Sequence, residues 1–195
     1  MSEAARSSTR KATEKLASVI ESLLGDSKSG LVLVNVRFTS QGKRRILEVT
    51  IHKPGSQVSL DDCESLSRKL DKKLEAFAKT KDGAIVDGPY ELQVQSPGID
   101  RKLKTQKELK VFKGEAVEIL SKEPLDDLGV SFFGVLDETE DGRVTILNPK
   151  IVEKVSKKAA KNKKKNPIIS PIEEITVEFS SLSYVRLSPS KEVLS

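Results

Sequence analysis

Residues 90–105 read YELQVQSPGIDRKLKT, and the fold turns on how this stretch divides. Tyr90, Leu92 and Val94 alternate with polar residues, the period-two pattern of a strand with one buried face. The alternation stops at Ser96-Pro97-Gly98. Pro97 has no N–H to give a ladder, and Gly98 tolerates left-handed dihedrals, so the strand ends in a turn. From Arg101 to Lys113, Arg101, Lys102, Lys104, Lys107, Lys110 and Lys113 stand against a single acid, Glu108. A folded unit is expected to finish here and a basic segment to open the next.

Upstream, the pattern fits a two-layer unit. Leu16, Val19, Ile20, Leu23 and Leu24 recur at helical spacing before Gly25, while the polar start MSEAARSSTRK is expected to be a frayed lead-in. In LVLVNVRF the alternation puts Val32, Val34, Val36 and Phe38 on one face, and Leu47, Val49 and Ile51 repeat it beyond the polar loop TSQGKR. A second helix begins at Ser59, a capping residue followed by Asp61 and Asp62 in the positive first turn. Cys63, Leu66, Leu70, Leu74 and Phe77 form its apolar stripe. Helix, strand, strand, helix, strand is a two-layer α+β order.

Downstream, EAVEIL, SFFGVLDE, GRVTIL, ITVEF and SYVRLS are short β-prone runs with turns between them, which predicts a small barrel. The chain has 195 residues, more than one small core usually organises. Two domains are therefore predicted, 1–103 and 104–190, with Ser96, Pro97, Gly98 and Asp100 forming the interdomain turn.

Charge is unevenly spread. The formal net charge is +5, yet KVSKKAAKNKKK at 154–165 holds seven lysines and no acid, so the remainder of the chain is mildly acidic. This run sits in a long loop near 150–171, between two barrel strands. Such a block is either a solvated tract or an arm that neutralises RNA phosphates and releases counterions. Asp100 and Arg101 have a comparable choice, between a linker salt bridge and direct contact with RNA or protein.

Catalysis and cofactor binding find no support. Asp61 and Asp62 are explained by the helix start. His52, read on the polar face of its strand, and Cys63, read on an apolar stripe, provide neither a zinc ligand set nor a nucleophile–base pair. No phosphate-binding glycine loop is present. A single cysteine, with no apolar run long enough to span a bilayer, fits a soluble protein of a reducing compartment.

The ordered set SLDDCESLSRKL, YELQVQSPGIDRKLKT, VFKGEAVEI and EFSSLSYVRL, after a helix-plus-hairpin start, resembles the ribosome maturation factor RimP family of bacteria. The resemblance implies a KH-like N-terminal α/β domain, an SH3-like C-terminal barrel, no enzymatic activity and no cofactor or metal. It further implies a cytoplasmic monomer that assists 30S small-subunit assembly by binding ribosomal protein S-twelve and 16S ribosomal RNA. The lysine-rich insertion departs from the family's short turn, a change that loop-closure entropy penalises only logarithmically. Candidate RNA contacts are Lys43, Arg44, Arg45, Arg101, Lys102, Lys104, Lys107, Lys157, Lys158, Lys161, Lys163, Lys164 and Lys165. The rival readings are a general RNA-binding module without a ribosomal role and a peptide-binding SH3 adaptor. The adaptor reading is disfavoured by the absence of Trp, since proline-rich ligands need an aromatic-lined groove.

Overall fold

The computed structural model describes residues 3–27, 29–79, 88–151 and 172–188, the side chains of 3–9 and 126 excepted. The chain divides into two compact units, Met1–Gly98 and Ile99–Ser195.

The first unit contains α1 (Glu3–Gly25), β1 (Val32–Gln41), β2 (Arg44–His52), α2 (Leu60–Ala78) and β3 (Glu91–Gln95). The polar start, expected to fray, is helical from Glu3 onward. Leu16, Ile20 and Leu24 of α1 join Leu66, Leu70 and Leu74 of α2 in a core against Leu47, Val49 and Ile51 of β2. Tyr90, Leu92, Val94 and Cys63 pack at its margin. The sheet order is β1-β2-β3: β1 and β2 form an antiparallel hairpin, and α2 carries the chain over so that β3 pairs with β2 in parallel.

Two side-chain placements differ from simple alternation. A β-bulge between Leu33 and Asn35 inserts a residue and reverses the phase of β1, so Leu31 and Leu33, and not Val32, share one core cluster with Val36, while Val34 is buried outside that cluster. At the end of β2, Val49, Thr50, Ile51 and His52 are all buried. His52 is therefore not on a solvated face as its polar neighbours suggest.

The second unit contains β4 (Lys102–Leu103), α3 (Gln106–Val111), β5 (Ala116–Leu125), β6 (Gly129–Glu140), β7 (Arg143–Ile151), β8 (Glu174–Glu178) and β9 (Leu182–Leu187). Short 3-10 turns at Asp126–Leu128 and Phe179–Ser181 connect β5 to β6 and β8 to β9. The five predicted β runs correspond to β5 through β9. Every pairing is antiparallel, in the order β4-β9-β5-β6-β7-β8. Among the described residues the ladder is open, running from β4 at one end to β8 at the other without closing into a barrel.

Phe112 and Leu109 from the α3 region, Phe132 and Leu136 from β6, Ile119 from β5, Ile146 from β7 and Val185 from β9 are fully buried. Gly134 lets β6 and β7 approach: a Cβ there would lie 2.2 Å from Ile146 Cγ2 and 3.0 Å from the Leu147 carbonyl oxygen. Because β4 pairs with β9, residues 99–103 belong with this unit, and the expected division at 103/104 falls inside it.

Candidate nucleic-acid interface

The basic segment after Gly98 is organised around one acid. Thr105 caps α3, its hydroxyl accepting the Glu108 N–H at 3.2 Å. The Glu108 carboxylate reaches back to accept the Lys104 N–H at 2.7 Å and pairs with the Arg101 guanidinium. The result is a variant of the Thr-x-x-Glu capping box, in which the glutamate serves the residue before the cap. Glu108 is only 9% exposed. Burial pushes its carboxyl pKa up, but Arg101 and the Lys104 N–H outweigh burial and hold it below the usual glutamate range. The Arg101 carbonyl also accepts the Leu187 N–H at 2.9 Å. Arg101 is thereby bound into the second unit through both backbone and side chain.

Lys102 takes a different course. On β4 it stands opposite Arg186 of β9, which stands opposite Glu118 of β5. Tyr184 Oη donates to Glu118 Oε1 at 2.8 Å, and the Arg186 guanidinium pairs with the other carboxylate oxygen. Lys102 Nζ lies 4.9 Å from the Tyr184 ring centroid, and the Arg186 guanidinium carbon lies 5.4 Å from it. Burial raises the Tyr184 pKa, and the hydrogen bond to Glu118 raises it further. The Arg186 pKa is raised chiefly by its hydrogen bond to Glu118, with Asp100 adding a small field. The outer face of β4 and β9 thus carries a half-buried aromatic ring between two cations, one neutralised by Glu118 and one, Lys102, left with its charge.

Lys104 and Lys107 are exposed beside α3. In the first unit Lys43 occupies the tight turn between Gln41 and Arg44, and its side chain has no ion-pair partner among the described residues. Arg44 reaches Glu91 only at 3.9 Å, with both side chains exposed. Arg45 stacks its guanidinium 4.3 Å from the Phe38 ring centroid. Lys43 to Arg45 are thus one cluster in the first unit and Lys102 to Lys107 another in the second. Lys157, Lys158, Lys161, Lys163, Lys164 and Lys165 lie outside the described residues. Ser96, Pro97 and Gly98 follow β3, with Gly98 at φ 80°, and Asp100 is exposed.

Glu118, Tyr184 and Arg186 have no local signal that names them as partners, because 66 and 68 residues separate the donors from Glu118. The α3 cap did carry one, the Thr105-Gln-Lys-Glu108 spacing.

The acids at the α2 start perform structural work. Ser59 Oγ accepts the Asp62 N–H at 3.1 Å, and the Asp62 carboxylate accepts the Ser59 N–H at 3.0 Å. Lys53 Nζ adds a pair to Asp62 at 3.1 Å. Hydrogen bonding to the Ser59 backbone, then to Lys53, lowers the Asp62 pKa. Burial raises the Cys63 pKa, with Asp62 adding to it, the opposite of what a thiolate nucleophile requires. Among the described residues no three His, Cys, Asp or Glu side chains gather into a metal-binding group, and no helix is long and apolar enough to cross a membrane.

Residues 20–100 match the family model of the RimP N-terminal domain. The matched stretch takes in most of the first unit, which is thus similar to the N-terminal domain of RimP.

Proposed function

We propose that this protein is a RimP-family, non-enzymatic factor for assembly of the 30S subunit, acting in the bacterial cytoplasm as a monomer. The family match over residues 20–100 carries the reading. It acts by binding ribosomal protein S-twelve, chiefly through the second unit, and 16S ribosomal RNA through exposed cations. The short antiparallel strands of the second unit, joined at β8–β9 by a 3-10 turn, support reading that unit as SH3-like, and the helix-strand-strand-helix-strand order supports reading the first as KH-like. Lys43, Lys102 and Lys104 are the favoured RNA contacts among the described residues, because none of them forms an ion pair there, and Lys107 is exposed next to them. Arg101 and Lys113 are exceptions within the basic segment, since Glu108 holds the first and Asp137 and Glu138 pair with the second. RNA affinity from such cations is electrostatic and weakens with salt.

Sedimentation of lysate through a sucrose gradient tests the proposal. The protein should travel with immature small-subunit particles and leave them as salt rises. Confinement to the free fractions at low salt would overturn it.

A further inference from the structure

The ladder of the second unit ends at β8, and two backbone bonds set the phase of that edge. The Asn148 N–H donates to the Glu173 carbonyl at 2.7 Å, and the Phe179 N–H donates to the Gly142 carbonyl at 2.8 Å. Between these two pairs the β7–β8 register runs without a shift, Leu147 opposite Glu174 through to Arg143 opposite Glu178. Hydrogen-bonded and non-hydrogen-bonded pairs alternate in an antiparallel ladder. Residues 173, 175, 177 and 179 therefore bond to β7, and the N–H and C=O groups of Glu174, Thr176 and Glu178 point away from it, the Glu178 carbonyl accepting the Ser181 hydroxyl at 2.7 Å and the groups of Glu174 and Thr176 forming the open part of the edge. All three residues are exposed, and no strand pairs with this edge among the described residues.

We propose that this edge of β8 receives an extended, lysine- or arginine-rich segment of a partner protein by strand addition. The proposal rests on the protein contact assigned above to the second unit and specifies where that contact lies. Three observations select the occupant. An open edge offers alternating donors and acceptors, which another peptide backbone satisfies. Glu174 and Glu178 share one face at a spacing of four residues, with Thr176 between them, and Glu173 adds a third acid beside them; Arg143 does not offset this charge, because it stands opposite both Glu178 and Glu140. Cationic side chains opposite Glu174 and Glu178 complete the cross-strand pairs.

The same charges exclude two other occupants. RNA phosphates are repelled and have no backbone donors to extend the ladder. A second copy paired antiparallel about Thr176 would set Glu174 against Glu178, with like charges directly opposed.

The test titrates the full-length protein with a fluorescein-labelled peptide of alternating lysine and valine, followed by anisotropy. Its control is the same peptide with alternate backbone nitrogens methylated, which keeps the charge and removes the ladder donors. Thr176→Pro deletes an outward N–H without removing a β7 bond. The double variant E174K/T176K keeps every backbone group and cancels the net negative charge of the edge, so it decides the matter if the proline variant melts early. Both variants should bind the peptide about tenfold more weakly than wild type, and the methylated peptide should bind wild type as weakly as the variants bind the parent. Equal binding by the double variant, or by the methylated peptide, would overturn strand addition at this edge. In sucrose gradients, a double variant that sediments with small-subunit particles as wild type does would overturn the edge and leave the assembly reading intact. A wild-type protein that stays in the free fractions would instead remove the reading on which the edge proposal rests.

Discussion

Arg101 and Glu108 form an ion pair in which the Glu108 carboxylate also accepts the Lys104 N–H. The pair ties β4 to the first turn of α3, so one of the most basic-looking positions in the chain is a structural residue of the second unit.

Replacing Glu108 with Gln leaves the half-buried guanidinium of Arg101 without its counter-charge, and should destabilise the second unit by about 2–3 kcal/mol at neutral pH. The folded-state pKa of Glu108 is lowered. Its stabilisation is therefore present above the unfolded value, near 4.5, and is lost as pH falls through the folded value. Urea melts should show the variant's penalty at pH 7 shrinking as pH drops below that range, whereas a penalty that stays constant with pH would contradict an electrostatic role.

Gly134→Ala drives a Cβ into the Ile146 side chain and the Leu147 carbonyl, contacts of 2.2 and 3.0 Å. The carbonyl belongs to the ladder and cannot swing aside as a side chain tip does. The expected cost is about 1–3 kcal/mol, read as a lower thermal midpoint, and RNA affinity below the transition should be unchanged.

At the other unit's helix start, Ser59→Ala removes the acceptor for the Asp62 N–H and should cost about 1 kcal/mol. Asp62 keeps Lys53 as a partner, so the loss should be partial. Because the Asp62 pKa is lowered, its share of the stability is present above the ordinary aspartate value of 3.8 and disappears on acidification through its folded value. Denaturant titrations of both proteins at neutral and acid pH check the size and the trend.

Deletion of 154–165 removes seven lysines from the connection between β7 and β8. If the segment binds phosphates, the slope of log affinity for ribosomal RNA against log salt should flatten by roughly 0.7 to 0.9 for each phosphate that the arm no longer neutralises. About three or four phosphates should be engaged rather than one for every lysine, because ordering a free arm costs roughly 1–2 kcal/mol per residue fixed. Partner-protein binding and the thermal transition should persist. An unchanged salt slope would identify the run as a solvated tract.

Much of this protein was legible in its sequence because the signals were local. The stripe Leu66, Leu70 and Leu74 declares a helix with one buried face, Ser59 and Asp62 declare its start, and the break at Pro97 and Gly98 declares the end of β3; each depends on the dihedral preferences and side-chain spacing of neighbours. The five strands from β5 to β9 were visible for the same reason. Helix α3 was passed over because Gln106–Val111 is six residues long, too short for periodicity to register, although its Thr-x-x-Glu cap was present. The bulge at Leu33 and Asn35 left no local mark and shifted which valines face the core.

What only the tertiary structure decided is pairing. The two residues of β4 become a strand because β9 offers them a free edge. Glu118 meets Tyr184 and Arg186 across 66 and 68 residues of chain. Arg101, which composition groups with the neighbouring lysines, is claimed by Glu108 because a buried carboxylate needs a cation beside it. Local sequence determines the conformations each segment favours and the face it offers; which faces and charges meet is settled by the free energy of burial over the whole unit, a quantity that no short stretch of residues contains.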